Sequence, residues 1–293
     1  MPGASAVRWT AVFGSSGIRG VGASFGLALR KNGLCGSLAG WDSEPGVLDE
    51  ALKTGIIDEI DSSVAYDSTS ESRSDLIYLA TPVRSIISFL QHDSARLKPG
   101  AVITDAGSTK VEICDAGNTC LASDIQFIGG HPIAGSHESG LTHARADLFE
   151  GAPYVLIQRQ SDEGHGFAKV EQTIEAIGAQ VFRMRASQHD QVVSSLSHLP
   201  QLVSVALSAT ARKQLGSNFF FKLSGTGYRD MTRLAAGSWS MWEDILRTNA
   251  GPIADALDSF GGRISEMSKE LRELDTNPSG NLSGARRLFK SSK

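Results

Sequence analysis

The sequence predicts an α/β protein, in which a doubly wound and mostly parallel sheet is followed by an all-helical domain. Short apolar segments alternate with segments of helical periodicity over residues 1–187, and this alternation is typical of βαβ units. From residue 188 onward the strand signals end, and apolar residues recur at helical spacing. The 293 residues are 41% hydrophobic and 20% charged, which is ordinary for a globular chain of one or two domains. We therefore predict domains at residues 1–187 and 188–293.

The predicted strands are short apolar runs that end in turn residues or in the start of a helix. They are Val7–Phe13, Ser37–Trp41, Asp75–Ala80, Ala101–Thr104, Gln126–Ile128, Tyr154–Ile157 and Gln180–Met184. The helices predicted between them are Val21–Asn32, Pro45–Thr54, one that opens at Thr81-Pro82, and one around Lys169–Ile177. Gly33 and Gly55 directly follow two of these helices, and glycine commonly ends a helix.

The second half contains one long predicted helix, Gln188–Leu215, with Pro200 in its middle. A proline there has no N–H to offer the carbonyl four residues earlier, so we expect the helix to bend. His189 and His198 lie nine residues apart, on opposite faces of a straight helix. We expect the pair His189-Asp190 to cap the start of this helix. The polar tail, Asn277–Lys293, is expected to be frayed.

Composition excludes several classes of function. The net charge is −4, and no basic run marks a nucleic-acid-binding surface. The three cysteines lack the paired spacing of a disulfide framework or of a zinc site, so we expect reduced thiols and no metal. No apolar segment has the length of a signal-peptide core or of a membrane span. We expect a cytoplasmic protein that acts on a small molecule and binds neither nucleic acid nor a membrane.

A glycine-rich loop joins the first predicted strand to the first helix and is the candidate dinucleotide site. Its glycines permit close approach of the backbone to a phosphate, and the helix that follows offers free N–H groups. The candidate residues are Gly14, Gly17, Gly20 and Gly22, with Arg19 among them. The spacing Gly14-x-x-Gly17-x-x-Gly20 departs from the usual fingerprint, and a second register runs from Gly17 to Gly22. An ordinary tight turn between strand and helix is the alternative.

Asp42 strengthens the prediction of a Rossmann-type dinucleotide site. It follows the second predicted strand, where an acidic side chain can bind the ribose 2′-hydroxyl. Its negative charge would repel a 2′-phosphate, so we expect NAD as the cofactor in preference to NADP. Thr81 and Pro82, which follow another predicted strand, complete the predicted cofactor-binding set.

Two loops that follow strands carry the candidate catalytic residues. His131 lies in the segment Gly129–Gly135, directly after an apolar run. Ligands bind beyond the carboxyl ends of the strands in an open α/β sheet, and a histidine there can serve as a general base near neutral pH. Ser108 lies in the second loop, Asp105–Lys110, and is also predicted to cap the helix that follows.

A cluster of polar residues in the helical domain points to an acidic substrate. Arg229 and Arg233 are four residues apart and share one helical face, and the arginine fork matches a carboxylate. A solvated surface helix with an Asp–Arg pair is the alternative for these two arginines. His198 and Gln201 share a face of the long helix, which we assign to the substrate.

Several blocks of the sequence carry a resemblance that is more specific than these patterns. They are LAGWDSEPGVLDEALKTGIID, DLIYLATPV, ITDAGSTK, GGHPIAGSHESG, HDQVVSSLSHLPQ, and GYRDMTRLA followed by MWEDILRTN, in order from about residue 10 to residue 250. With these blocks the chain resembles the prephenate/arogenate dehydrogenase family of tyrosine biosynthesis. The resemblance implies a Rossmann domain, a helical domain that forms a homodimer, and oxidative decarboxylation of a cyclohexadienol to a phenol.

The resemblance also implies roles for individual residues. His131 matches the catalytic histidine of the family, and Ser108 matches the serine that contacts the substrate hydroxyl and the nicotinamide. Arg233 matches the arginine that binds a substrate carboxylate, and His198 matches a position near the substrate. The chain departs from the family at Gln201, where many members have a second histidine. It departs again at His137, where many members have a glutamate.

These departures leave the substrate open between prephenate, arogenate and a related cyclohexadienol such as 4-amino-4-deoxyprephenate. A β-hydroxyacid dehydrogenase is a second possibility, but its Lys-x-x-x-Asn motif is absent from the sequence. A non-catalytic NAD-binding sensor is a third.

Overall fold

A computed structural model describes residues 7–13, 19–62, 72–93, 96–134, 140–158, 165–217 and 219–291. The chain forms two compact units. The first unit comprises Met1–Val192 with Ala236–Thr248, and the second comprises Val193–Ala235 with Asn249–Lys293. The chain therefore returns to the first unit for one short segment late in the sequence, which no local pattern indicates.

The first unit is built on a six-stranded parallel sheet with the strand order β3-β2-β1-β4-β5-β6. The strands are β1 (Arg8–Phe13), β2 (Ser37–Trp41), β3 (Glu59–Ile60), β4 (Leu76–Ala80), β5 (Val102–Asp105) and β6 (Gln126–Ile128). The helices of this unit are α1 (Arg19–Lys31), α2 (Pro45–Lys53), α3 (Val83–His92), α4 (Val111–Cys120), α5 (His165–Ala176), α6 (Ala186–Val193) and α9 (Trp239–Thr248). The predicted fold class is confirmed, because this order is that of a doubly wound dinucleotide-binding sheet. The sequence analysis missed β3.

The central strand β4 shows why the sheet is covered on both faces. All its residues are buried, and alternate side chains of a strand point to opposite faces. Tyr78 packs in one apolar cluster, where its ring stacks on Phe25 of α1 with a centroid distance of 3.9 Å. Ile77 and Leu79 pack in the other cluster with Ile86 of α3. A fully apolar strand is therefore the consequence of burial on both sides.

A second, three-stranded sheet carries the histidine segment. Its strands are β7 (Gly130–Pro132), β8 (Pro153–Ile157) and β9 (Gln180–Met184); β7 is antiparallel to β8, and β8 is parallel to β9. The prediction that His131 lies in a tight loop is wrong, because His131 pairs with Val155 inside this sheet. The glycines around it serve close packing between elements, as shown below for Gly130.

The second unit is helical over the residues that the structure describes. Its helices are α7 (Leu199–Leu215), α8 (Thr226–Thr232), α10 (Ala250–Thr276) and α11 (Ser283–Ser291). The long helix predicted at Gln188–Leu215 begins earlier, at Ala186, and is interrupted by a π-helical turn at Ser194–His198. The interruption falls directly before Pro200, where the N–H of Leu199 bonds the carbonyl of Ser194, five residues back. This shift in pairing accommodates the donor that proline lacks.

The prediction of a frayed tail is wrong for Ser283–Ser291, which forms α11. Its first amides are held by a carboxylate of α10: Gly284 N and Ala285 N donate to Glu270, at 2.7 and 2.9 Å. A carboxylate at a helix N-terminus satisfies unpaired amides and complements the helix dipole. A glutamate fourteen residues away in sequence thus orders a tail that composition alone marks as polar.

The helix α10 leaves several of its large apolar side chains exposed in this chain. Only Ile253 is buried along its 27 residues, while Leu257, Ile264 and Leu271 are exposed at 37, 49 and 59%. The helical run Ala186–Leu215 also contains an 18-residue stretch with mean hydropathy 1.3, which by length and composition alone meets the test for a membrane span. Helices that are covered by protein meet the same test.

Gly130 marks a close approach between the two sheets of the first unit. Its N–H donates to Asp105 Oδ1 at 2.9 Å, and a Cβ at this position would lie 2.7 Å from the backbone oxygen of Asp105. The end of β5 and the start of β7 are therefore in direct backbone contact, which only glycine permits.

We predict that Gly130→Ala lowers the free energy of unfolding by about 1–3 kcal/mol, because the added methyl group must displace backbone. Gly46→Ala is the matched control, since a Cβ at Gly46 in α2 would meet nothing within 4 Å. Urea denaturation of both variants measures the difference. Equal stability of the two variants would show that the β5–β7 contact is loose.

Candidate active site

The candidate site of the first unit is built around His131, which is half-buried on β7. Its Nδ1 lies 2.8 Å from Nε2 of His189, a residue of α6. His189 is fully buried, and its Nδ1 lies 2.7 Å from Asp190 Oδ1. The three side chains form a continuous hydrogen-bonded chain that runs from the buried carboxylate of α6 to the ring on β7.

Burial sets the charge state of the middle ring. It lowers the pKa of His189, and the positive charge of Lys110 acts in the same direction, whereas the hydrogen bond that His189 makes to Asp190 acts in the opposite direction. The ordinary pKa of histidine is about 6.5, so a lowered value leaves His189 neutral at pH 7. The ring can therefore accept one hydrogen bond and donate the other.

Asp190 is held in place by the start of helix α4. Its Oδ1 accepts the N–H of Lys110 at 2.7 Å, and its Oδ2 accepts the N–H of Val111 at 2.9 Å. The prediction that His189-Asp190 caps its own helix is wrong. The helix α6 already begins at Ala186, so the carboxylate is left to cap α4, which lies far away in sequence.

The structure also contradicts the second role predicted for Ser108, which is the capping of helix α4. Helix α4 begins at Val111, its N-cap position is Lys110, and that position makes no side-chain cap. Ser108 therefore does not cap the helix, because Asp190 has taken that place. Ser108 lies half-buried between Gly107 and Thr109, and the hydroxyl of Thr109 is 2.8 Å from that of Thr248 on α9.

A buried ion pair lies at the carboxyl end of β5. Lys110 Nζ bonds Asp105 Oδ2, and neither side chain has any exposed surface. The same carboxylate accepts the N–H of Gly107 at 2.8 Å and that of Gly130 at 2.9 Å. Gly107 directly precedes Ser108, and Gly130 directly precedes His131. One carboxylate therefore fixes the backbone next to both predicted catalytic residues.

Helix α9 closes the first unit against the ends of β4 and β5. Asp244 Oδ2 accepts the N–H of Arg84 at the start of α3, at 3.1 Å. Thr81 is buried at the end of β4, and Pro82 is the N-cap residue of α3. The predicted cofactor residues Thr81 and Pro82 thus lie at a helix N-terminus that α9 braces.

The dinucleotide loop is described only in part. Gly14 and Gly17 lie outside the described residues, as does His137. Arg19 opens α1, and Gly20 and Gly22 lie in its first turn. Asp42 directly follows β2, is buried, and accepts the N–H of Glu44 at 2.8 Å. The strand order, together with a helix that follows β1 and has glycines in its first turn, fits a dinucleotide-binding site.

The second unit holds the remaining predicted substrate residues. His198 is buried, and its Nδ1 lies 3.3 Å from the side-chain nitrogen of Asn249. Gln201 is also buried and donates to the carbonyl of Leu234 at 2.7 Å. Arg229 and Arg233 are both exposed, and Arg229 donates to the carbonyl of Ser224 at 2.9 Å. Arg233 directly follows α8 and opens a 3₁₀ turn.

Sequence reasoning missed four residues of the first unit: Asp105, Lys110, His189 and Asp190. Asp105 and Lys110 are five residues apart and His189 and Asp190 are adjacent, but the contacts that join these two pairs to each other and to β7 span 25 to 80 residues. No local periodicity marks such contacts. The available signal was their presence in the blocks ITDAGSTK and HDQVVSSLSHLPQ, which carry the family resemblance.

Family models match nearly the whole chain. The model described as "Prephenate dehydrogenase, nucleotide-binding domain" matches residues 25–183, and "Prephenate dehydrogenase, dimerization domain" matches residues 185–283. A prephenate dehydrogenase of Bacillus subtilis is 32% identical over 281 residues, which are 95% of this chain and 73% of the relative.

Solved structures agree with the family models. The prephenate dehydrogenase from A. aeolicus, solved with hydroxyphenyl propionate and NAD+, has a TM-score of 0.84 and 27% identity, with 98% of this chain and 96% of that chain covered. The Synechocystis arogenate dehydrogenase has a TM-score of 0.76 and 25% identity, with 98 and 97% covered. The predicted family is confirmed: the chain belongs to the prephenate and arogenate dehydrogenase family and is an oxidoreductase.

Proposed function

We propose that the protein catalyses the NAD-dependent oxidative decarboxylation of prephenate to 4-hydroxyphenylpyruvate, of arogenate to tyrosine, or of both. The observation that supports this most is the hydrogen-bonded His131 on β7, with its Nδ1 2.8 Å from Nε2 of the buried His189. A histidine whose one ring nitrogen is anchored presents the other to a reacting group in a fixed direction.

The chemistry asks little of the protein beyond positioning and one proton transfer. NAD, when bound, accepts the hydride from C4 of the cyclohexadienol. His131 accepts the proton of the C4 hydroxyl as the hydride leaves. The bond from C1 to the carboxylate then breaks, its electron pair completes the aromatic ring, and the phenolate oxygen takes the proton back from His131. The atoms and charges balance with no net proton released.

Residues of the glycine-rich loop and the start of α1 would hold the pyrophosphate of NAD, namely Gly14, Gly17, Gly20 and Gly22 with Arg19. Asp42 would bind the adenosine ribose, and its carboxylate disfavours the additional phosphate of NADP. Thr81 and Pro82 would contribute to the cofactor site from the end of β4.

The remaining roles follow from the family resemblance. Ser108 contacts the substrate hydroxyl and the nicotinamide, and Arg233 binds a substrate carboxylate. His198, Arg229, Gln201 and His137 contribute to substrate binding. The exposure of Arg233 and Arg229 supports a role in capturing an anion, because neither guanidinium is buried inside its own unit.

One assay tests the proposed reaction. The protein is incubated with NAD and, separately, with prephenate, arogenate and 4-amino-4-deoxyprephenate, and NADH absorbance and the products are followed. We expect NADH with 4-hydroxyphenylpyruvate or tyrosine, and a higher kcat/KM with NAD than with NADP. Binding of NAD without NADH from any of the three would favour a non-catalytic sensor.

We predict that His131→Asn lowers kcat by about 10²–10⁴-fold, which is the usual contribution of general-base catalysis. The Kd for NAD, measured by calorimetry, should stay within about twofold of the wild-type value. His92→Asn, an exposed histidine of α3, is the matched control and should leave kcat unchanged. Near-normal turnover of His131→Asn would refute its role as the base.

We predict that Arg233→Ala raises KM for the dienol at least about tenfold, because a charge-assisted hydrogen bond to a carboxylate is worth about 1.5–3 kcal/mol. KM for NAD should not change. Arg183→Ala removes an exposed arginine of β9 that pairs with Glu171 and serves as the control. A KM for Arg233→Ala within twofold of the control would remove Arg233 from the substrate site.

We also propose that the protein is a homodimer through its helical domain. Leu257, Ile264 and Leu271 are exposed on α10 at intervals of seven residues, so they form one apolar stripe of the kind that packs against another helix. The family model for residues 185–283 is described as a dimerization domain. We also propose a cytoplasmic location, which agrees with the reduced cysteines expected from the sequence.

We predict that Ile264→Glu shifts the protein from dimer toward monomer, because the interface would have to bury a charge. Light scattering coupled to size-exclusion chromatography measures the mass. Gln172→Glu adds the same charge to an exposed position of α5 and should remain dimeric. A dimeric Ile264→Glu at micromolar concentration would place the interface elsewhere.

A further inference from the structure

We propose that His189 and Asp190 are positioning residues for the base: they fix the ring orientation of His131 and select the nitrogen that accepts the substrate proton. This inference rests on the proposed role of His131 as the general base. Neither residue was predicted to touch substrate or cofactor.

Asp190, the last group in the hydrogen-bonded series, determines which atom donates in each of these hydrogen bonds. Asp190 already accepts two backbone amides of α4, and a carboxylate can only accept. The ring of His189 must therefore carry its proton on Nδ1, which donates to Asp190 Oδ1 at 2.7 Å. Because His189 is neutral, its Nε2 holds a lone pair.

The proton position on His189 in turn determines the proton position on His131. Nε2 of His189 accepts at 2.8 Å from Nδ1 of His131, so His131 carries its proton on Nδ1. Its Nε2 is then the basic nitrogen. When Nε2 takes the substrate proton, Nδ1–H continues to donate to His189, and no hydrogen bond in the chain has to reverse.

Three substitutions separate this role from simple packing. Asp190→Asn keeps the shape of the side chain, but its amide can donate to Nδ1 of His189. Each hydrogen bond between these side chains would then reverse its direction, and His131 would carry its proton on Nε2. His189→Leu removes the acceptor altogether. His189→Gln can place its amide oxygen near the position of Nε2 and so keeps an acceptor for Nδ1–H of His131.

We expect Asp190→Asn and His189→Leu to lower kcat at least about 10²-fold, as wrong-tautomer substitutions do in histidine-based catalysis. KM for the dienol and the Kd for NAD should stay within about threefold. His189→Gln should recover at least about tenfold in kcat over His189→Leu. A purely structural role predicts instead that all three variants lose stability and kcat together.

A measurement on the wild-type protein keeps the inference testable if a variant fails to fold. In protein with ¹⁵N-labelled histidine, NMR should show His131 with a protonated Nδ1 and an unprotonated Nε2 near neutral pH. The opposite tautomer would overturn the inference, and so would kcat within threefold of wild type in folded Asp190→Asn and His189→Leu.

The outcome is distinguishable from failure of the proposed function. If the wild-type protein turns over no dienol, or if His131→Asn is fully active, the base assignment itself fails. If the wild-type protein is active and His131→Asn is not, while Asp190→Asn and His189→Leu keep full kcat, only the positioning role fails.

Discussion

The buried carboxylate of Asp105 is the interaction on which the site of the first unit depends. It pairs with the ammonium of Lys110 where neither side chain has any exposed surface, and it accepts the backbone amides of Gly107 and Gly130, which precede Ser108 and His131. An unpaired charge there would cost several kcal/mol, so neither partner of the ion pair can be lost alone. The end of β5 therefore supports the backbone next to both proposed catalytic residues, one in the loop after β5 and one on β7.

Helix α6 supplies the other side chains that hold His131 in place. Asp190 satisfies the first amides of α4 and at the same time orients His189, which in turn orients His131. Because a helix N-terminus attracts negative charge, the start of α4 stabilises this carboxylate. In the proposed mechanism, the stability of α4 and the orientation of the base depend on the same side chain, that of Asp190.

Much of this fold could be predicted from the sequence. Alternating apolar runs located most of the parallel strands, since burial on both faces makes them apolar throughout, as in Leu76–Ala80. The position of the break in the long helix followed from Pro200. By contrast, the strand that contains His131 is only three residues long and includes a glycine and a proline, so its sequence pattern is typical of a turn.

The candidate site could be proposed from the sequence only where a single residue type indicates its chemistry, as His131 does. The partners that tune it are common residues whose contacts span 58 or 80 positions of the chain, and local patterns contain no trace of them. The same holds for Glu270, which orders a polar tail from a neighbouring helix, and for Asp244 on α9.

The most direct test of the account is the kcat of the double variant Asp105→Asn/Lys110→Met. This variant removes both buried charges and so avoids an unpaired one, but its single amide oxygen cannot accept the N–H groups of both Gly107 and Gly130. The account predicts a protein that folds and binds NAD and has a kcat at least about tenfold below wild type, since small displacements of catalytic groups cost about that much or more. Wild-type kcat in the folded double variant would contradict it.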